Sequence, residues 1–78
     1  MKRIAQNLKN LRIHNGFTLT QVSQATGISE SSIWNYENGK RSIPAERVIV
    51  LANYFNVDIT KIMLSTITNF DSIGDNRE

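Results

Sequence analysis

Within one short stretch the chain places Glu30, Ser31, Trp34 and Asn35, four side chains able to read the hydrogen-bonding edge of another molecule. Spacings of three and four residues put them on one face of a helix. The major groove of a duplex offers partners for each of them. An Asn amide donates and accepts at once against adenine, and a Ser hydroxyl makes single bonds to several bases. A carboxylate accepts from a cytosine amine, and an indole can lie on a thymine methyl or a sugar. Just beyond follow Asn38, Lys40 and Arg41, an amide and two cations suited to phosphate. Thr18 opens an earlier helix whose free amides can face a phosphate.

Each residue has a plainer alternative. Glu30 can be a dipole partner in the first turn of its helix, and Trp34 can cover apolar surface beside it. Ser31 and Asn35 are ordinary surface residues in most settings, and Lys40-Arg41 in isolation is a solvated pair. Placement decides between the readings, so the helices that present these groups matter more than the groups alone.

Ile4, Leu8 and Leu11 form the stripe of a first helix that ends at His14-Asn15-Gly16. Thr18-Leu19-Thr20-Gln21 is a capping box, with Phe17 and Val22 spaced as a hydrophobic staple, and Gly27 stops this second helix after about two turns. Ser29 caps a third helix, predicted over Glu30 to Asn38, whose inward side is Ile33, Tyr36 and Glu37. Asn15-Gly16 and Asn38-Gly39 are helix ends rather than hairpin turns, because their flanks repeat at 3.6 and not at 2. Pro44 marks a fourth helix carrying Ala45, Val48, Ile49, Leu51, Ala52 and Phe55; Asp58 caps a short fifth with Ile59, Ile62 and Met63. Beyond Leu64 the periodicity fails, and 65–78 reads as an irregular extension, dimerising and then disordered.

Composition narrows the class. With 78 residues the chain has room for one domain, and 40% apolar content exceeds that of disordered chains. It has no Cys and a single His, which excludes disulfide staples and thiolate zinc sites and leaves no metal or cofactor expected. No apolar run reaches the length of a membrane span and no signal peptide is evident, so a cytoplasmic protein is expected, without membrane or small-molecule partner. The net charge of +2 is unevenly placed. Residues 1–64 hold Lys2, Arg3, Lys9, Arg12, Lys40, Arg41, Arg47 and Lys61 against Glu30, Glu37, Glu46 and Asp58, while 65–78 hold Arg77 against Asp71, Asp75 and Glu78. A cationic domain with an acidic tail suits an anionic partner. No catalytic residue is expected. Gly39-Lys40-Arg41-Ser42 lacks the upstream glycine of a phosphate loop, Trp34 standing in its place, and His14 has no nucleophile beside it in sequence.

A two-turn helix, a short break at Gly27 and a second capped helix make a helix-turn-helix over about 18–38. The chain resembles the XRE-type regulators, the family of the lambdoid phage repressors and Cro proteins, over roughly residues 4–64. The resemblance is carried by Leu11-Arg12, Gly16-Phe17-Thr18-Leu19-Thr20, Gly27-Ile28-Ser29, Ile33 with Tyr36-Glu37-Asn38-Gly39-Lys40-Arg41, and Leu51-Ala52 before Phe55-Asn56-Val57-Asp58. Three departures stand out: Leu19 for a phosphate-contacting Gln, Ser23 for an Ala where the helices touch, and a proline shifted by one to Pro44.

The resemblance implies an all-α, five-helix lambda-repressor-like domain over 1–64. It implies a salt bridge between Arg12 and Glu37 that orients the third helix, and a sequence-specific regulator, a repressor, on double-stranded DNA. Base reading then falls to Glu30, Ser31, Trp34 and Asn35, and phosphate binding to Thr18, Asn38, Lys40 and Arg41. One such domain reads few base pairs, so a homodimer on a pseudo-palindromic operator is expected, its contacts drawn from Ile62, Met63, Ile67 and Phe70. Ile67 and Phe70 have the alternative of folding onto their own domain. The rival function is a protein-interaction module, an antitoxin or anti-repressor gripping a protein with the Trp34 face.

Overall fold

A computed structural model describes residues 2–64. Five α-helices follow one another: α1 (Lys2–His14), α2 (Leu19–Thr26), α3 (Glu30–Glu37), α4 (Ala45–Phe55) and α5 (Ile59–Leu64). α3 packs on α2 and α1, α4 on α2 and α5, and α5 closes against α1. This is the all-α architecture that the resemblance implies, and no strand occurs among the described residues. No described helix is long and apolar enough to cross a membrane.

The helix boundaries follow from local hydrogen bonding. Thr18 caps α2 with its hydroxyl oxygen accepting from the Gln21 amide at 3.0 Å, while the Gln21 side chain accepts from the Thr18 amide at 2.8 Å. One orphan amide of the first turn and the amide of the cap residue are thus satisfied reciprocally. Gly27 ends α2 at φ 79°, a conformation that costs a side-chain-bearing residue strain, with its amide donating to the Ser23 carbonyl. Ser29 caps α3 by accepting from the Ser32 amide at 3.1 Å. α3 ends at Glu37, one residue before the expected Asn38. The Asn38 amide still donates to Trp34 but its own dihedrals have left the helix, and Lys40 donates back to the Asn35 carbonyl. α4 is capped by Pro44 and ends through Asn56 at φ 60°, an asparagine in the role glycine usually takes.

The core is drawn from every helix: Leu8 and Leu11, Val22, Ile33 and Tyr36, Val48, Leu51, Ala52 and Phe55, and Ile62, with Ile28 and Ile43 added from the turns. Phe17 joins it as the staple, its ring 5.1 Å from Tyr54 and 6.3 Å from Phe55. Two expectations about buried positions are corrected. Ile62, expected at a dimer contact, is wholly enclosed in its own chain's core, because α5 lies against both α1 and α4 and turns Ile62 between them, with Ile59 packed at the edge. Ala45 and Ile49, placed with the apolar stripe of α4, are both exposed, since Val48, Leu51, Ala52 and Phe55 fill the helix's buried side without them. Asn7 lies on the inward side of α1, where its amide donates to the Ile62 carbonyl at 2.8 Å.

Asp58 leads α5, its Oδ1 accepting from both the amide and the hydroxyl of Thr60 at 2.9 Å. The bond from the Thr60 amide, then that from its hydroxyl, hold the Asp58 carboxyl below its ordinary value of 3.8. A lowered acid pKa stabilises the fold above the unfolded value and loses that contribution as pH falls through the folded one. Asp58→Asn is therefore expected to lower the thermal midpoint at neutral pH, with the deficit closing below pH 3.8, as calorimetry across that range would measure.

Candidate nucleic-acid interface

α3 is a short helix with three buried side chains, Ile33, Tyr36 and Glu37. Ile33 points home. Trp34 is 47% exposed, Ser31 is exposed and Asn35 is half-buried, so the polar face stands on the side of α3 away from the core. Such a face, one helix wide and free of apolar neighbours other than Trp34, has the dimensions a major groove admits.

The orientation of this helix is fixed by charge. Arg12 Nε donates to Glu37 Oε2 at 2.8 Å and its Nη2 donates to Oε1 at 3.0 Å, a two-point fork. The third nitrogen, Nη1, donates to the Phe17 carbonyl at 3.0 Å. Glu37 is 3% exposed and Arg12 15%, so the pair is largely withdrawn from water. Arg12 therefore joins the end of α1, the approach to α2 and the end of α3. The salt bridge implied by the resemblance is present in this geometry.

The remaining residues named from sequence divide into free and engaged groups. Lys40 and Arg41 are exposed in the connection that leaves α3, available to phosphate. Asn38 is exposed too, but its side-chain nitrogen donates to the Trp34 carbonyl at 2.8 Å and serves the end of the helix first; its second N–H is left over. Thr18 is exposed at the start of α2 with its oxygen engaged in the cap, which leaves its hydroxyl hydrogen to donate. Leu19 is half-buried against the core. Glu30 is exposed but accepts from the Thr20 hydroxyl at 2.8 Å, so part of its capacity is spent joining α2 to α3. Of the four side chains proposed at a dimer contact, Met63 is exposed, Ile62 is buried, and Ile67 and Phe70 lie outside the described residues. Leu64, 70% exposed beside Met63, was not anticipated.

Two further bonds bear on the site. Arg47 of α4 donates to the Tyr36 hydroxyl of α3 at 2.8 Å, and Thr20 meets Glu30 as above. A buried tyrosine needs a partner for its hydroxyl, which the sequence signals, but nothing in the spacing says that Arg47 supplies it. No group of three or more metal-binding side chains occurs among the described residues.

Comparison with known proteins agrees with this geometry. The sequence model of a helix-turn-helix domain matches residues 5–66. The antitoxin PezA of Streptococcus pneumoniae serotype 4 (strain TIGR4) is 33% identical over 60 residues, covering 77% of this chain and 38% of that protein. The uncharacterised HTH-type transcriptional regulator YobD of Bacillus subtilis (strain 168) is 29% identical over 58 residues, covering 74% of this chain and 52% of its own. The chain thus spans about half or less of the length of these relatives. No solved structure gives a significant match.

Removing one partner of a buried ion pair leaves the other charge unpaired, at a cost of roughly 3–5 kcal/mol. Glu37→Ala should therefore abolish function by unfolding the domain, and its urea midpoint should fall accordingly. A midpoint equal to that of the parent chain would refute a structural role for the bridge.

Proposed function

The chain belongs to the XRE-like helix-turn-helix domain family, and on that footing we propose that it is a sequence-specific double-stranded DNA-binding regulator, a repressor, that seats α3 in the major groove. The observation that carries the reading is the outward face of α3, with Ser31 and Trp34 exposed and Asn35 half-buried, on a helix whose inner side is locked by Arg12 and Glu37. Asn35 is the adenine reader, Ser31 and Trp34 complete the base contacts, and Glu30 shares itself between Thr20 and a base. Thr18, Asn38, Lys40 and Arg41 hold the phosphates on either side. The protein works as a homodimer on a pseudo-palindromic site, in the cytoplasm, because one domain of this kind reads few base pairs. Met63 and Leu64, two of the exposed apolar residues, lie at the end of α5 next to the 65–78 extension and join that contact, to which Ile67 and Phe70 contribute the rest.

The antitoxin PezA among the relatives favours a second reading, in which the Trp34 face grips a protein. The hydrogen-bonding neighbours of Trp34 and the cations at Lys40 and Arg41 favour nucleic acid instead.

Selection of bound duplexes from a random pool tests the reading, and a pool that yields no enriched sequence would refute it. Asn35→Ala should lower the preference for the selected site by roughly 1–3 kcal/mol and leave binding to random DNA nearly intact. Equal losses on both would show that Asn35 reads no base. Affinity for the selected site should also fall steeply with salt as counterions are released, which titration between low and physiological salt would show.

A further inference from the structure

We propose that Tyr36 and Arg47 form a second anchor that sets the roll of α3 about its own axis, so that Arg47 is a positioning residue for base reading; the inference rests on the DNA-reading function above. α3 has eight residues and a single buried aliphatic side chain, Ile33. The apolar contacts of Ile33 and of the Tyr36 ring leave its roll loosely set, since burial is non-directional and tolerates small rotations of the helix. Direction has to come from hydrogen bonds, and α3 has two such anchors on its inner side, the Arg12 fork on Glu37 and the Arg47 bond to Tyr36.

Tyr36 and Glu37 are consecutive, so their side chains leave the helix about 100° apart, with Ile33 between them on the helical wheel. Glu37 is held from α1 by Arg12, and Tyr36, 3% exposed, is held from α4 by Arg47. A roll that relaxes one bond stretches the other. Either anchor alone permits a small swing about these apolar contacts; the two together fix it. Trp34, Asn35 and Ser31 ride on the same helix, so a small rotation moves their tips across the base edges without unfolding the domain. Arg47 is half-buried, comes from the first turn of α4, and has its guanidinium turned onto the phenol of α3.

The test uses the full chain with Tyr36→Phe, Arg47→Met and the double variant. Dissociation constants are measured on the duplex selected by the parent chain and on a scrambled duplex, across a salt series, with thermal midpoints alongside. Tyr36→Phe is the decisive variant because it deletes one oxygen, changes no charge and keeps the ring in the core. Each single change is expected to reduce the selected-over-scrambled ratio by about five- to tenfold, the scale of the net worth of one ordinary hydrogen bond. The double variant should lose no more than either single one, as two ends of one bond should. Scrambled-duplex affinity and its salt slope should stay within about twofold of the parent, since no phosphate contact is removed. A parental ratio in Tyr36→Phe would overturn the proposal. So would an Arg47→Met variant that binds both duplexes more weakly with a flatter salt slope while Tyr36→Phe does neither, because Arg47 would then be a phosphate contact. A parent chain that prefers no duplex over its scramble would overturn the DNA-reading function itself, and this inference with it.

Discussion

The guanidinium of Arg12 is the constraint on which the rest of the structure depends. Three elements meet at it: the end of α1, the Phe17 carbonyl before α2, and the carboxylate of Glu37 on α3. Burying one aliphatic side chain such as Ile33 is worth about 1.5–3 kcal/mol, whereas stranding one charge of a buried pair costs about 3–5 kcal/mol. In α3, Ile33 and the Tyr36 ring supply the burial, while the polar bonds make loss of either charge costly. The two-point fork also has a direction, which a hydrophobic contact lacks.

This division of labour runs through the helix-turn-helix. The inner side of α3 is fully committed, with Ile33 in the core, Glu37 on Arg12 and Tyr36 on Arg47. Its flank is committed in part, through Thr20 and Glu30, and its C-terminal end is closed by Asn38 on the Trp34 carbonyl. Trp34 and Asn35, with Lys40 and Arg41 beyond them, keep their capacity for a partner, and Ser31 keeps part of its own, its hydroxyl sharing a 3.4 Å bond with that of Ser29. A site built this way keeps its shape before the partner arrives, so little ordering is left to oppose binding.

What could be read from the sequence was what depends on neighbours along the chain. The Thr18–Gln21 box, the Gly27 stop, the Ser29 cap and the inward positions of Ile33, Tyr36 and Glu37 are all local signals, and the structure has each of them. The face of α3 turned to solvent followed from the same periodicity. Pairings across elements did not. That Asn7 meets Ile62, Thr20 meets Glu30 and Arg47 meets Tyr36 depends on how helices cross, and no spacing encodes it. Arg12–Glu37 was available only through the family resemblance. Ile62 and Ile49 show the same limit among apolar residues: a stripe says which positions cluster, not whether a neighbouring helix covers them.

The most direct test of the central claim, that the outer face of α3 is where DNA is read, is a titration of isotope-labelled protein with its selected duplex followed by amide and side-chain NMR. The account predicts that the largest changes fall on the Trp34 indole, the Asn35 amide, Ser31, Lys40 and Arg41, while the backbone of α4 beyond its first turn is little affected. Perturbations centred on Ile49, Val50 and Asn53, with the α3 signals left in place, would contradict it.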